Sequence, residues 1–128
     1  MLYILDTHVL IWYFIGSTRL TRAVKEKIEE VRSTGGRLLV PKIVLAEALS
    51  VAEKGKVTFD FPEMYHRIKA EPEFEIVSFT PEILEEVTAL AIPEIHDRII
   101  VATARFYQAG ILTKDKIIRD TGDVETVC

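Results

Sequence analysis

What is scarce in this sequence already narrows the possible functions. Cys128 is the single cysteine among the 128 residues, so an intrachain disulfide and a cluster of thiolate metal ligands are both excluded. No apolar run approaches the ~20 residues that a membrane-spanning helix needs. These absences favour a protein without a disulfide framework or a membrane span, and we expect it in the reducing cytoplasm.

Basic residues are also in the minority, since 16 Lys and Arg face 20 Asp and Glu and leave a net charge of −4. That balance argues against a protein that coats nucleic acid through bulk positive charge. It still allows an enzyme whose acidic centre binds cations and is rimmed by a few Lys and Arg. The apolar start MLYILDTHVLIW has no basic leader or cleavage site and is interrupted by Asp6, so we interpret it as a buried strand and not as a signal peptide.

Short apolar runs alternate with helical patterns along the chain. The runs LYILD, RLLVP, FEIVSF, ILT and VETV predict strands at residues 2–6, 37–41, 74–79, 111–113 and 124–127. Periodicity and caps predict helices over residues 21–35, 42–55, 59–70, 80–93 and 96–110, with a short helical turn at 115–120. The expected architecture is a parallel sheet covered by helices on both faces, in one α/β domain spanning residues 1–128.

Four acidic residues stand apart from the solvated charge runs. Asp6 and Asp115 follow the first and fourth predicted strands, Glu47 is a lone charge in VLAEAL, and Asp97 opens an apolar helix. In parallel α/β sheets, functional sites form outside the carboxyl ends of the strands. Carboxylates that converge in apolar surroundings must be neutralised, paired or bound to cations. Because no matching set of buried basic residues is visible, the pattern predicts a site for Mg²⁺ or Mn²⁺.

Each of these carboxylates also has a structural explanation when it is taken alone. Asp6 fits a strand-end turn, and Asp97 and Asp115 fit N-caps or first-turn acids of the helices that they open. Glu47 can be explained by an ion pair with Lys54 or with an arginine from elsewhere in the fold. Only the joint placement of the four residues predicts a functional site.

This joint pattern resembles the PIN-domain family, and more narrowly the VapC-type toxins of prokaryotic toxin–antitoxin pairs. The matching stretches are ILDTHVLIW, VLAEAL, IHDRIIVATA and ILTKD, which follow the family's order and extend over nearly the whole chain. The chain departs from many members at one point. Ile95 and His96 precede the third aspartate, where the family often has Pro-Phe or a similar pair.

The resemblance implies a three-layer α/β/α fold, with a parallel sheet of about five strands in the order 3-2-1-4-5. It implies Asp6, Glu47, Asp97 and Asp115 as catalytic metal ligands, with the Thr113 hydroxyl supporting the acidic cluster. The implied activity is a Mg²⁺- or Mn²⁺-dependent endoribonuclease, in which water attacks an RNA phosphodiester in line. The implied partners are the RNA substrate, a VapB-like antitoxin and a second copy of the chain in a homodimer.

Other residues near the predicted site have open roles. His8 and His96 are candidates for proton transfer or phosphate contact, and Arg98 is a candidate for a carboxylate or phosphate contact. The basic residues near the fourth strand either steer RNA or form a solvated surface; they are Lys114, Lys116 and Arg119. Asp120 and Asp123 are left outside the site.

Two other functions are open on the sequence. An aspartyl phosphotransferase would use Asp6 as its nucleophile, but that class needs a second aspartate two residues later, where His8 stands. A non-catalytic binding module with the PIN fold is the other alternative, although it would have no reason to retain four converging carboxylates. The glycines form neither a P-loop nor a dinucleotide fingerprint, and no Ser–His–Asp or Cys–His set competes.

Overall fold

Five short strands form one parallel sheet. The computed structural model describes residues 1–122 and 124–128, so Asp123 lies outside the described residues. The strands are β1 (Leu2–Leu5), β2 (Arg37–Pro41), β3 (Phe74–Val77), β4 (Gly110–Leu112) and β5 (Thr126–Val127). They lie in the order β3-β2-β1-β4-β5 with every pair parallel, which confirms the predicted 3-2-1-4-5 sheet.

Seven helices within the described residues connect these strands. They are α1 (Thr7–Ile15), α2 (Arg22–Ser33), α3 (Lys42–Lys54), α4 (Phe61–Ala70), α5 (Pro81–Thr88), α6 (Ile95–Tyr107) and α7 (Lys116–Arg119). Nearly every residue of β1, β2 and β4 is buried. Since successive strand residues point to opposite faces, helices must cover both faces of the sheet. None of the helices in the described part of the chain is long and apolar enough to cross a membrane.

Several helix ends follow the predicted local chemistry. Thr21 and Thr80 are the N-caps of α2 and α5, and each hydroxyl accepts a hydrogen bond from a backbone N–H three residues later. Gly55 ends α3 in the left-handed region, with a φ of 71°, where glycine has no Cβ penalty.

The N-terminal helix α1 is the main element that the sequence pattern failed to predict. The stretch interpreted as one buried strand is β1 up to Leu5 followed by α1 from Thr7. Helix α1 buries Val9, Leu10, Ile11 and Trp12 in succession. A helix that is apolar on all sides has no amphipathic period, so periodicity cannot distinguish it from a buried strand.

Helix α6 is shorter than predicted, because Gly110 does not end it. The helix ends at Tyr107, and Gln108 takes the left-handed conformation with a φ of 53°. Gly110 instead opens β4 and pairs with Tyr3 of β1. A Cβ at Gly110 would overlap the Tyr3 ring, so the glycine permits a close approach between neighbouring strands.

Helix α5 also differs from its prediction, since it ends at Thr88 and not at Pro93. Its buried face consists of Ile83 and Val87, which pack with Ile99 of α6 in a small second core. The apolar side chain of Leu84, next to Ile83 in the chain, is 51% exposed, and Ala91 is exposed beyond the end of the helix.

Candidate metal centre

The first of the predicted site residues lies at the carboxyl edge of the sheet, between β1 and α1. Asp6 is the N-cap of α1, and its Oδ1 accepts a hydrogen bond from the Thr7 N–H at 2.8 Å. The Asp6 N–H donates to the Leu112 carbonyl at 3.0 Å, so the end of β4 holds this turn. The free N–H groups at the start of a helix stabilise a carboxylate there. The turn therefore fixes the carboxylate beside the end of β4.

Thr113 joins Asp6 to the second carboxylate of this edge. The Thr113 side chain is fully buried, and its hydroxyl donates to Asp6 Oδ2 at 2.8 Å. The same hydroxyl accepts from the Asp115 N–H at 3.0 Å. Asp115 is the N-cap of α7, and its Oδ1 accepts from the Ile117 N–H at 2.8 Å. One buried hydroxyl thus links the residues that follow β1 and β4.

The pKa of Asp6 reflects two opposing influences. Burial raises it, but hydrogen bonds from His96, Thr113 and the Thr7 N–H outweigh the burial and leave the pKa of Asp6 below its ordinary value. Asp6 is therefore an anion at neutral pH, although its side chain is only 13% exposed.

Asp97 lies in the first turn of α6 and is 7% exposed. The N-cap of this helix is Glu94, whose Oε2 accepts from the Asp97 N–H at 2.9 Å, so the capping explanation considered for Asp97 applies to Glu94. Burial, reinforced by the negative charges of Asp115, Glu94 and Asp6, raises the pKa of Asp97 to about 6. A bound cation would relieve this repulsion.

Glu47 and His96 complete the cluster from two different helices. Glu47 lies on α3, and its Oε1 is 3.5 Å from His96 Nε2. The same nitrogen is 3.3 Å from Asp6 Oδ1. In the described part of the chain the ion-pair partner of Glu47 is therefore His96, and the pair considered with Lys54 is not formed. The hydrogen bond with Asp6 raises the pKa of His96, burial lowers it, and the negative charge of Glu47 raises it again, so that the pKa lies above its ordinary value.

All four predicted carboxylates line one open cavity of about 530 Å³. The other lining residues are Glu94, His8, His96, Lys114 and Lys116. Five carboxylates thus face two lysines and two histidines, which makes the cavity anionic. Sequence reasoning missed Glu94, although its position three residues before Asp97 is a capping signal.

Asp120 was expected outside the site, whereas Arg98 was a candidate for a carboxylate or phosphate contact. Asp120 lines a separate, mainly apolar cavity with Ile117 and Thr121. Arg98 has a buried Nε without a hydrogen-bond partner among the described residues.

The donor atoms in the anionic cavity are spaced suitably for a divalent cation. One ligand atom each from Asp6, Glu47 and His96 lies within 4.8 Å of the other two. In an octahedral shell with bonds of about 2.1 Å, neighbouring ligands are about 3 Å apart and opposite ligands about 4.2 Å. Asp97 and Asp115 add carboxylate oxygens to the same cavity. Asp6, Glu47 and His96 are therefore close enough together to share one divalent cation, and the carboxylates of the cavity supply the negative charge that the cation needs.

The family model of the PIN domain matches residues 3–124. This chain belongs to the PIN-domain family. The carboxyl edge of the PIN-domain sheet is thus where Asp6, Glu47, Asp97 and Asp115 meet. A comparison with curated protein sequences gives no significant match.

Several solved structures share this PIN fold. VapBC2 from Rickettsia felis, bound to a DNA fragment from its promoter, is 16% identical with a TM-score of 0.72, and the match covers 99% of this chain and 98% of that chain. A toxin–antitoxin complex from Klebsiella pneumoniae is 21% identical with a TM-score of 0.66, covering 98% and 96%. VapBC-1 from nontypeable Haemophilus influenzae is 17% identical with a TM-score of 0.68, covering 99% and 97%. At these identities the likeness shows a shared fold.

Proposed function

We propose that this PIN domain is a metal-dependent endoribonuclease that hydrolyses RNA phosphodiesters. The observation that carries the proposal is the meeting of Asp6, Glu47, Asp97 and Asp115 in one cavity, because converging carboxylates suit Mg²⁺ or Mn²⁺. When bound, the cation lowers the pKa of the attacking water and stabilises charge on the oxygens of the phosphodiester.

The side chains of the site divide the remaining work. Asp6, held by Thr113 and the Thr7 N–H, provides a fixed negative charge. Asp97, with its raised pKa, is partly neutral without a cation and ionises when positive charge is brought to the cavity. Lys114 and Lys116 at the cavity wall attract the phosphates of RNA and offset the repulsion between the acidic centre and the substrate.

We further propose that the chain acts in the cytoplasm as the toxin of a VapBC-type pair, with a VapB-like antitoxin and a second copy of itself as partners. The support is the shared fold with structures of VapBC proteins and of a toxin–antitoxin complex. The anionic cavity is complementary to a basic side chain, so an antitoxin segment with an arginine or lysine would block it.

The two alternative functions fit the geometry less well. As a phosphotransferase nucleophile, Asp6 would have to attack with a carboxylate that hydrogen bonds already stabilise. In a non-catalytic binding module, nothing would offset the unfavourable charge of Asp97, whose pKa is raised to about 6. Cation binding accounts for both observations.

The deciding experiment is the Asp6→Asn variant in a cleavage assay with end-labelled structured RNA. Asparagine keeps the shape and removes the charge, and its single amide oxygen can accept from either the Thr113 hydroxyl or the Thr7 N–H but not from both. We expect Mg²⁺- or Mn²⁺-dependent cleavage to fall by about a hundredfold or more. Asp120→Asn, at a side chain that is 68% exposed, is the matched control and should cleave normally. Cleavage by Asp6→Asn at the wild-type rate, with host nucleases excluded, would refute the proposal.

A further inference from the structure

We infer that His96 is a direct nitrogen ligand of the cation, and that the centre consequently prefers first-row transition ions such as Mn²⁺ to Mg²⁺. The inference rests on the proposed function, because it concerns the identity of the cation in the same cavity. It adds a ligand of a different chemical class to the four carboxylates predicted from the sequence.

The position of the imidazole carries the inference. His96 Nε2 is 3.3 Å from Asp6 Oδ1 and 3.5 Å from Glu47 Oε1. Both separations are close to the roughly 3 Å between neighbouring ligands of an octahedral cation. The nitrogen that contacts both carboxylates in the cation-free protein is therefore also placed to bind a cation between them. The ring is 15% exposed, so its nitrogen is held between the two carboxylates and does not extend into solvent.

Helix α6 positions two different ligand types in the cavity. His96 and Asp97 are adjacent in its first turn, so their side chains diverge around the helix axis. His96 faces Asp6 and Glu47, whereas Asp97 interacts with Asp115 and Glu94 as well as Asp6. The cavity thus has one half with a nitrogen donor and another half made of carboxylates, and Asp6 is shared by both.

This division has a consequence for ion selectivity. Mg²⁺ prefers oxygen ligands and gives up its waters reluctantly. An imidazole nitrogen binds first-row transition ions better than Mg²⁺. A site formed by Asp6, Glu47 and His96 would therefore discriminate against Mg²⁺ more strongly than a site made only of carboxylates.

A competing explanation is that His96 only bridges Asp6 and Glu47, or contacts a substrate phosphate. In either case the ring nitrogen is not bonded to the cation. The two explanations differ in one spectroscopic property, since a nitrogen bound to Mn²⁺ gives a ¹⁴N coupling to the electron spin of that ion.

The experiment is pulsed electron paramagnetic resonance of the full chain loaded with Mn²⁺. Wild type is compared with His96→Gln, with His8→Gln at the other histidine of the cavity, and with His66→Gln at an exposed position on α4. We expect ¹⁴N coupling in wild type, His8→Gln and His66→Gln, and its loss in His96→Gln with Mn²⁺ still bound. Competition with Mg²⁺, followed by the signal of free Mn²⁺, should show that the preference for Mn²⁺ falls about tenfold or more in His96→Gln.

The outcomes separate this inference from the proposed function. Bound Mn²⁺ without ¹⁴N coupling in wild type would overturn the inference and leave the metal-dependent function intact. Coupling that disappears in His8→Gln but persists in His96→Gln would do the same. If wild type bound neither Mn²⁺ nor Mg²⁺, both proposals would fail. Circular dichroism melts verify that each variant is folded, and the wild-type spectrum alone suffices to refute the ligand role.

Discussion

Replacing Asp97 with asparagine should stabilise the cation-free protein at neutral and alkaline pH. Asp97 is 7% exposed. Burial, followed by the negative charges of Asp115, Glu94 and Asp6, disfavours the ionised form and raises the pKa of Asp97 from 3.8 to about 6. Asparagine has nearly the same shape and no charge. Its amide N–H can also donate to Asp115, as the protonated Asp97 carboxyl does, so the variant mimics the neutral form.

The magnitude follows from the two pKa values. Between pH 3.8 and about 6 the folded state binds more protons at Asp97 than the unfolded state does, so this residue's contribution to stability rises as the pH falls through that window. At pH 8 the ionised side chain costs about 3 kcal/mol, at pH 5 about half of that, and at pH 4 less than about 1 kcal/mol. Asp97→Asn should therefore melt roughly 10 °C above wild type at pH 8, with a difference that shrinks on acidification.

The assay is a set of thermal melts in chelator at several pH values, repeated with Mg²⁺ or Mn²⁺. Wild type should gain ~2.7 kcal/mol at a hundredfold excess of cation over Kd, and the variant should gain less, so the two melting temperatures approach each other. Asp120→Asn is the control, since its side chain is 68% exposed and the change should stay within ~0.5 kcal/mol.

A salt-bridged structural cluster predicts the opposite signs. In that case removing the Asp97 charge would leave a buried Lys or Arg side chain unpaired and destabilise the fold by ~3–5 kcal/mol. If Asp97→Asn melts several degrees below wild type in chelator at pH 8, and added cations change neither protein, the reasoning is wrong.

Two further changes test the support of the site and of the sheet. Thr113→Val removes the hydroxyl that donates to Asp6 at 2.8 Å and accepts from the Asp115 N–H at 3.0 Å. We expect the free energy of unfolding to fall by ~1–3 kcal/mol and Mn²⁺ binding, measured by calorimetry, to weaken about tenfold. Unaltered Mn²⁺ binding would contradict a supporting role for Thr113. Gly110→Ala brings a Cβ into the Tyr3 ring and should destabilise the fold by ~1–3 kcal/mol in urea unfolding. Combining it with Tyr3→Leu should recover part of that loss, and a single variant with the wild-type midpoint would show that the close approach is unimportant.

Local patterns predicted most of the architecture. The alternation of short apolar runs with capped helices is a property of neighbouring residues, and it was sufficient for the parallel sheet and its order once the family resemblance was added. The elements that were missed are those whose local signal is ambiguous. Helix α1 is apolar on every side. Gly110 stands where a glycine often ends a helix, but glycine is required at this position because the Tyr3 ring on the neighbouring strand leaves no room for a Cβ.

The candidate site divides in the same way. The sequence by itself determined that Asp6 and Asp115 follow strands and that Glu47 and Asp97 are isolated acids in apolar helices, because residue type and chain position are local properties. Only the tertiary structure decided that His96 lies between Asp6 and Glu47, and that Glu94 caps the turn carrying Asp97 and adds to its repulsion. Burial and charge repulsion depend on distances between segments far apart in the chain, and those distances are set by how α3 and α6 pack around the sheet.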